Sequence, residues 1–236
     1  MTGRRHRSLF ATRLVNTTPE GEQPQVLGDL RRAMLDGDEP PGTPIPIDAV
    51  AAFFGVSQNP VREALKILIG EGLVQHTPHV GYRVAHLTFA EFRELYDVRQ
   101  ALESSALRSA VEHATPADDL ALRDVHESLA EAVHAGDERA YHARSREFHM
   151  TLIAPARMAR LQRMYESAWN ITEPARPMAR VSQPGRVAFH GEHDRMVEAF
   201  VARDAERLVA ESATHYEHLR SAIEAFAGDP DVFVQP

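Results

Sequence analysis

The 236-residue chain has no cysteine and no apolar run approaching the length of a membrane span. The first absence excludes disulfides, thiolate nucleophiles and cysteine-ligated zinc, and agrees with a reducing compartment. The second argues against a membrane-spanning helix. The first residues have no continuous apolar h-region, so secretion is not expected and a cytoplasmic location is. No HExxH, nucleophile elbow or phosphate loop occurs, which removes the commonest hydrolase and nucleotide-binding signatures. Excess positive charge is missing as well. The net charge is −8, and residues 1–88 carry nine basic and nine acidic side chains, so the whole deficit lies beyond residue 88. An acidic C-terminal half is a poor nucleic-acid surface, whereas a neutral N-terminal half with local basic clusters is a workable one.

The most informative stretch that is present runs from Gly55 to Val74, GVSQNPVREALKILIGEGLV. Gly55 allows a turn between two helices, Ser57 is a candidate N-cap, and Pro60 falls in the first turn, where a missing N–H costs nothing. From there Val61, Ala64, Leu65, Leu68 and Ile69 make an apolar stripe at helical spacing, leaving Arg62, Glu63 and Lys66 off it. Gly70 and Gly72 end the helix. Residues 73–76 and 81–84 then alternate like a two-stranded hairpin with its tip at 77–81. Ahead of this, a helix is expected near 24–35, a Pro/Gly connector at 37–46 and a second helix over 48–54. Residues 1–23 read as a polar arm in which Arg4, Arg5, His6 and Arg7 either touch a DNA backbone or are simply solvated.

That order of parts resembles the winged helix-turn-helix of the GntR family of bacterial transcription regulators. The matching pieces are LGDLRRAMLDG, PPGTPI, AVAAFFGVS, NPVREAL, EGLV and GYRV. The resemblance implies DNA contacts from Ser57, Gln58, Asn59, Arg62, Lys66 and Gly81. Two departures stand out. Gln58-Asn59 replaces the family's usual Arg-Thr, and Ile47-Asp48 replaces a Glu-Arg-like pair. Two cations are thereby missing and Asp48 opposes phosphate, although Gln and Asn remain good adenine readers.

Beyond residue 88 no strand signal appears. Helices are expected over 88–113, 115–136, 137–154, 157–172, 186–202 and 204–226, with the proline-rich 173–185 interrupting them. The fold class is therefore mainly α, a winged helix-turn-helix (24–87) followed by an all-α antiparallel bundle (88–228) and a short tail (229–236), with ligand sites between facing helices.

Three of the 13 histidines have informative placement: His149 in EFHMTL, His193 in GEHDRMVEAF and His215 in ATHYEHL. Each has apolar neighbours one turn away, so the imidazoles can point inward and converge as ligands for Zn, Ni, Mn or Fe. Hydrogen-bonded core histidines are the plainer alternative. Residues 88–228 resemble the FCD ligand-binding domain of the FadR-like branch of that family, through LYDVRQALE, AGDERAYHARSREFH, GEH and ARDAERLVAESATH. The resemblance implies that the three histidines ligate a divalent metal, with zinc or nickel expected, beside an aspartate whose position here is Ser145. His142 and His190 are candidates to compensate for that lost carboxylate. Arg99 stands where the family places a cavity-facing arginine, so it either clamps a ligand carboxylate or pairs with Glu103 at i+4. Tyr165, Trp169, Met164 and Met196 are cavity walls or plain core.

Together these readings predict a homodimeric transcription regulator, a repressor rather than an activator, that binds a double-stranded operator of inverted half-sites and responds to a small carboxylic acid. A metal-dependent hydrolase built on the three histidines is the competing class.

Overall fold

A computed structural model of the chain describes residues 9–17, 25–35 and 39–234. The Arg4, Arg5, His6 and Arg7 cluster lies outside the described residues. Two compact units separate: the described residues up to Thr88, with Glu173–Ala175 and 230–234, and the helices of Phe89–Thr172 and Arg176–Asp229.

In the first unit, helices α1 (Leu9–Arg13), α2 (Val26–Leu35), α3 (Ile47–Phe54) and α4 (Gln58–Gly70) accompany strands β1 (Pro44–Ile45), β2 (Val74–Thr77) and β3 (Gly81–Val84). The stripe forms as expected: Val61, Ala64, Leu65 and Leu68 are buried in one cluster with Leu30, Met34, Val50, Phe54, Leu73 and Val84. Each of these valine, leucine, methionine and phenylalanine side chains contributes about 1.5–3 kcal/mol relative to exposure. Ile69 is the exception and stays partly exposed. Gly55, in the left-handed region at φ 64°, makes the turn between α3 and α4.

Four expectations need correction here. The arm is not wholly arm, because Phe10 of α1 and the following Leu14 are buried in the same core. The sheet has three strands in the order β1-β3-β2, not two; Pro44 and Ile45 of the expected connector pair antiparallel with Arg83 and Tyr82. Proline fits there because β1 is an edge strand, where a missing N–H is tolerated. The expected tail buries Val232 and Phe233, and the Val234 N–H donates to the Leu87 carbonyl at 2.9 Å. Ser57 has the extended backbone of an N-cap, but its hydroxyl makes no capping bond.

The second unit is helical throughout: α5 (Phe89–His113), α6 (Pro116–Ala135), α7 (Glu138–Ile153), α8 (Ala159–Thr172), the short α9 (Pro177–Arg180), α10 (Gln183–Val201) and α11 (Ala205–Glu224). Its boundaries are chemically punctuated. Thr115 and Asp118 form a capping box with Pro116 in the first turn, and Gly136 closes α6 at φ 65°. Asp137 and Asp204 accept the N–H groups of Ala140 and Arg207 at the starts of α7 and α11. Helix α5 packs on α8 and α11, while α10 packs on α6 and α11. No helix among the described residues is long and apolar enough to cross a membrane.

Candidate functional site

Burying its apolar stripe turns the other face of α4 outward, so Gln58, Asn59, Arg62 and Lys66 are all exposed. Gln58 is held at both ends of its amide. Its Nε2 donates to Asp48 Oδ1 on α3, and its Oε1 accepts from Arg62 Nη2 at 3.0 Å. Arg62 has no acidic partner among the described residues. Lys66 donates to Glu63 at 2.8 Å, an exposed pair whose hydrogen bond and charge raise the lysine's pKa. A cleft of about 570 Å³ opens between the start of α4 and the wing, lined by Asp48, Gln58, Arg62, His76, Gly81 and Tyr82 among others. Gly81 sits there at φ 108°, a conformation that disfavours any side chain. The structure therefore brings Gln58, Arg62 and Gly81 to one concave face, while Ser57, Asn59 and Lys66 lie outside its lining.

In the second unit, His149 of α7, His193 of α10 and His215 of α11 meet. One nitrogen from each lies within 4.8 Å of the others, and all three are buried. Ring centroids are 5.3 Å apart for His149–His193 and His149–His215, and 4.7 Å for His193–His215. Two carboxylates stand behind them. His149 Nδ1 donates to Glu103 Oε2 at 2.8 Å, and His215 Nδ1 donates to Glu192 Oε2 at 2.7 Å. A carboxylate only accepts here, so each Nδ1 carries a proton, and in the neutral ring the lone pair is left to Nε2. His193 has neither arrangement: both of its ring nitrogens are buried without a hydrogen-bond partner among the described residues. Such an orphan costs free energy unless something else takes the lone pair.

Electrostatics tune the same atoms. Burial, then the nearby His215 and His149, push the His193 pKa well below the ordinary imidazole value, so the ring is neutral at pH 7. Burial also lowers that of His215, against the opposing Glu192. Burial alone would raise Glu103, but His149 and the hydroxyls of Tyr165 and Ser212 outweigh it and hold the carboxyl at about 2. Glu103 is satisfied on every side: Ser212 donates to Oε1 at 2.8 Å, while Tyr165 and Tyr216 donate to Oε2 beside His149.

Ser145 is buried on α7, one turn before His149. His142 is also buried, and His190 groups instead with His126 and Asp194. The Arg99 guanidinium is stacked between aromatic rings, 3.3 Å over the Trp169 centroid and 4.4 Å from Tyr96. Trp169 in turn lies 5.3 Å from His149, which puts the arginine one ring away from the histidines. Met196 is buried, but Met164 is 61% exposed and belongs to neither core nor cavity. Sequence reasoning missed the roles of Glu103 and Glu192, because their bonds to His149 and His215 run between helices.

The profile described as bacterial regulatory proteins, gntR family, matches residues 23–84, and that of the FCD domain matches residues 94–218. The chain belongs to the GntR family of regulators. Its relatives include a probable D-xylose utilization operon transcriptional repressor of Paenarthrobacter nicotinovorans, 35% identical over 67% of this chain and 66% of that one. The HTH-type transcriptional regulator YdhC of Bacillus subtilis is 25% identical over 85% and 92% of the two chains. Among solved structures, Escherichia coli McbR/YncC shares the fold with a TM-score of 0.76 at 24% identity, over 85% of this chain and 96% of that one. This GntR-family chain is thus a DNA-binding transcription regulator, not an enzyme, and the hydrolase alternative finds no support.

Proposed function

We propose that this regulator is a homodimeric repressor whose operator binding is controlled by a small carboxylic acid bound in the helical domain through a divalent cation. His149, His193 and His215 would hold the cation, zinc or nickel, as neutral imidazoles oriented by Glu103 and Glu192. The cation supplies a Lewis-acidic position for an acid oxygen. The observation that carries this reading is His193, whose two buried nitrogens have no hydrogen-bond partner among the described residues, while Nδ1 of each neighbouring ring is tied to a carboxylate. Ser145 contributes a hydroxyl where the family places a carboxylate, which weakens the site and broadens its metal preference. Arg99, stacked between Tyr96 and Trp169, supplies positive charge for the acid.

On the DNA side, Arg62, Gln58 and Asn59 read base edges, Ser57 and Lys66 contact phosphate, and Gly81 lets the wing backbone approach the duplex. Two-fold symmetry then requires inverted half-sites. Mobility shift against a duplex pool, repeated with added zinc or nickel and a panel of small carboxylic acids, tests the whole. Sequence-selective binding that an acid alters only in the presence of metal is expected. Selective binding indifferent to every acid and metal combination would remove effector control.

A further inference from the structure

We infer that His126 on α6, together with His190 and Asp194 one turn apart on α10, forms a second divalent-cation site at the bundle surface. One donor atom from each of the three lies within 4.8 Å of the other two. The pair on α10 is spaced i, i+4, so both side chains project from the same face, and α6 packs against that helix to deliver the third donor. This set shares no residue with the buried trio.

Three details favour a cation over a self-contained ion pair. His126 Nε2 comes within 3.3 Å of Asp194 Oδ1, yet it is buried with no hydrogen-bond partner among the described residues, and so is His190 Nδ1. Both orphaned nitrogens can give a lone pair to a metal. The two rings stack with centroids 4.3 Å apart and planes 13° from parallel, an arrangement that disfavours protonating both. Asp194, 55% exposed, supplies the anionic oxygen and leaves coordination positions open to water.

Two imidazoles and one carboxylate suit first-row ions such as zinc, nickel and copper. Parallel rings cannot both address one ion in their own planes, so the stack must splay on binding. The terminal torsion of histidine is broad, which makes the movement inexpensive, but the site is weaker than one with rings already fixed. Phe148 lies 6.0 Å from His126 and 4.4 Å from His193, so one aromatic ring separates this surface site from the buried histidines.

The test is a titration of the chelator-treated full chain with nickel alone, following bound metal by equilibrium dialysis in wild type, His126→Gln, Asp194→Asn and His193→Ala. The expected result is a weaker binding step that falls at least tenfold in both His126→Gln and Asp194→Asn and persists in His193→Ala. Asp194 is exposed, so its variant keeps the fold even if His126→Gln does not. No weaker step in the wild type, or one untouched by Asp194→Asn, overturns the inference. Loss of the tighter step in His193→Ala reports separately on the buried trio.

Discussion

Glu103 and His149 are joined by a 2.8 Å hydrogen bond between side chains 46 residues apart in sequence, both fully inside the bundle. The bond fixes which imidazole nitrogen is free, and with it the direction in which His149 can offer a lone pair. Replacing the carboxylate by its neutral isostere, Glu103→Gln, should lower divalent affinity by about 10–100-fold. Zinc affinity measured by chelator competition checks this; an unchanged value would make the pair a purely structural contact.

Arg62 is the cation near the start of the recognition helix that lacks an acidic partner among the described residues. Arg62→Ala should cost about 1–3 kcal/mol of operator affinity and relax preference at one base pair. Lys66→Ala should instead weaken all sequences alike and reduce the salt slope by about 1. Affinities for a selected operator and its point variants, at several salt concentrations, distinguish the two roles. A change of base preference in Lys66→Ala contradicts its assignment to phosphate.

Asp48 accepts from Gln58 and adds negative charge to the cleft. Asp48→Asn removes repulsion of phosphate, so binding to random duplex should tighten, most at low salt. Equal non-specific affinity in both proteins would place Asp48 away from the duplex.

Phe10 is fully buried in the core of the winged-helix unit. Phe10→Ala should therefore destabilise that unit by about 3–5 kcal/mol. Urea denaturation followed by loss of operator binding reads this out, and an unchanged midpoint would exclude α1 from the core.

The elements legible in the sequence are those with long periodic patterns. The α4 stripe of Val61, Ala64, Leu65 and Leu68 and the capped starts of α6, α7 and α11 follow from local rules that tertiary contacts do not override. What escaped is short. Five residues of α1, two of β1 and the buried Val232 and Phe233 are too few to set up a period, and their order comes from packing against distant residues. The three histidines were placed by their motifs, and the structure brings them together. Their supporting glutamates were not found, because Glu103 reads locally as a partner for Arg99 and its cross-helix bonds to His149, Tyr165, Tyr216 and Ser212 leave no trace in spacing.

The central claim, that His149, His193 and His215 hold one divalent cation beside a missing carboxylate, is tested most directly by the zinc and nickel affinities of wild type, His193→Ala and Ser145→Asp. Removing His193 leaves two imidazoles and should abolish the tighter binding step, whereas an anionic oxygen one helical turn before His149 should tighten it at least tenfold. Equal, weak affinities in all three proteins would contradict the account and leave the buried histidines as structural groups.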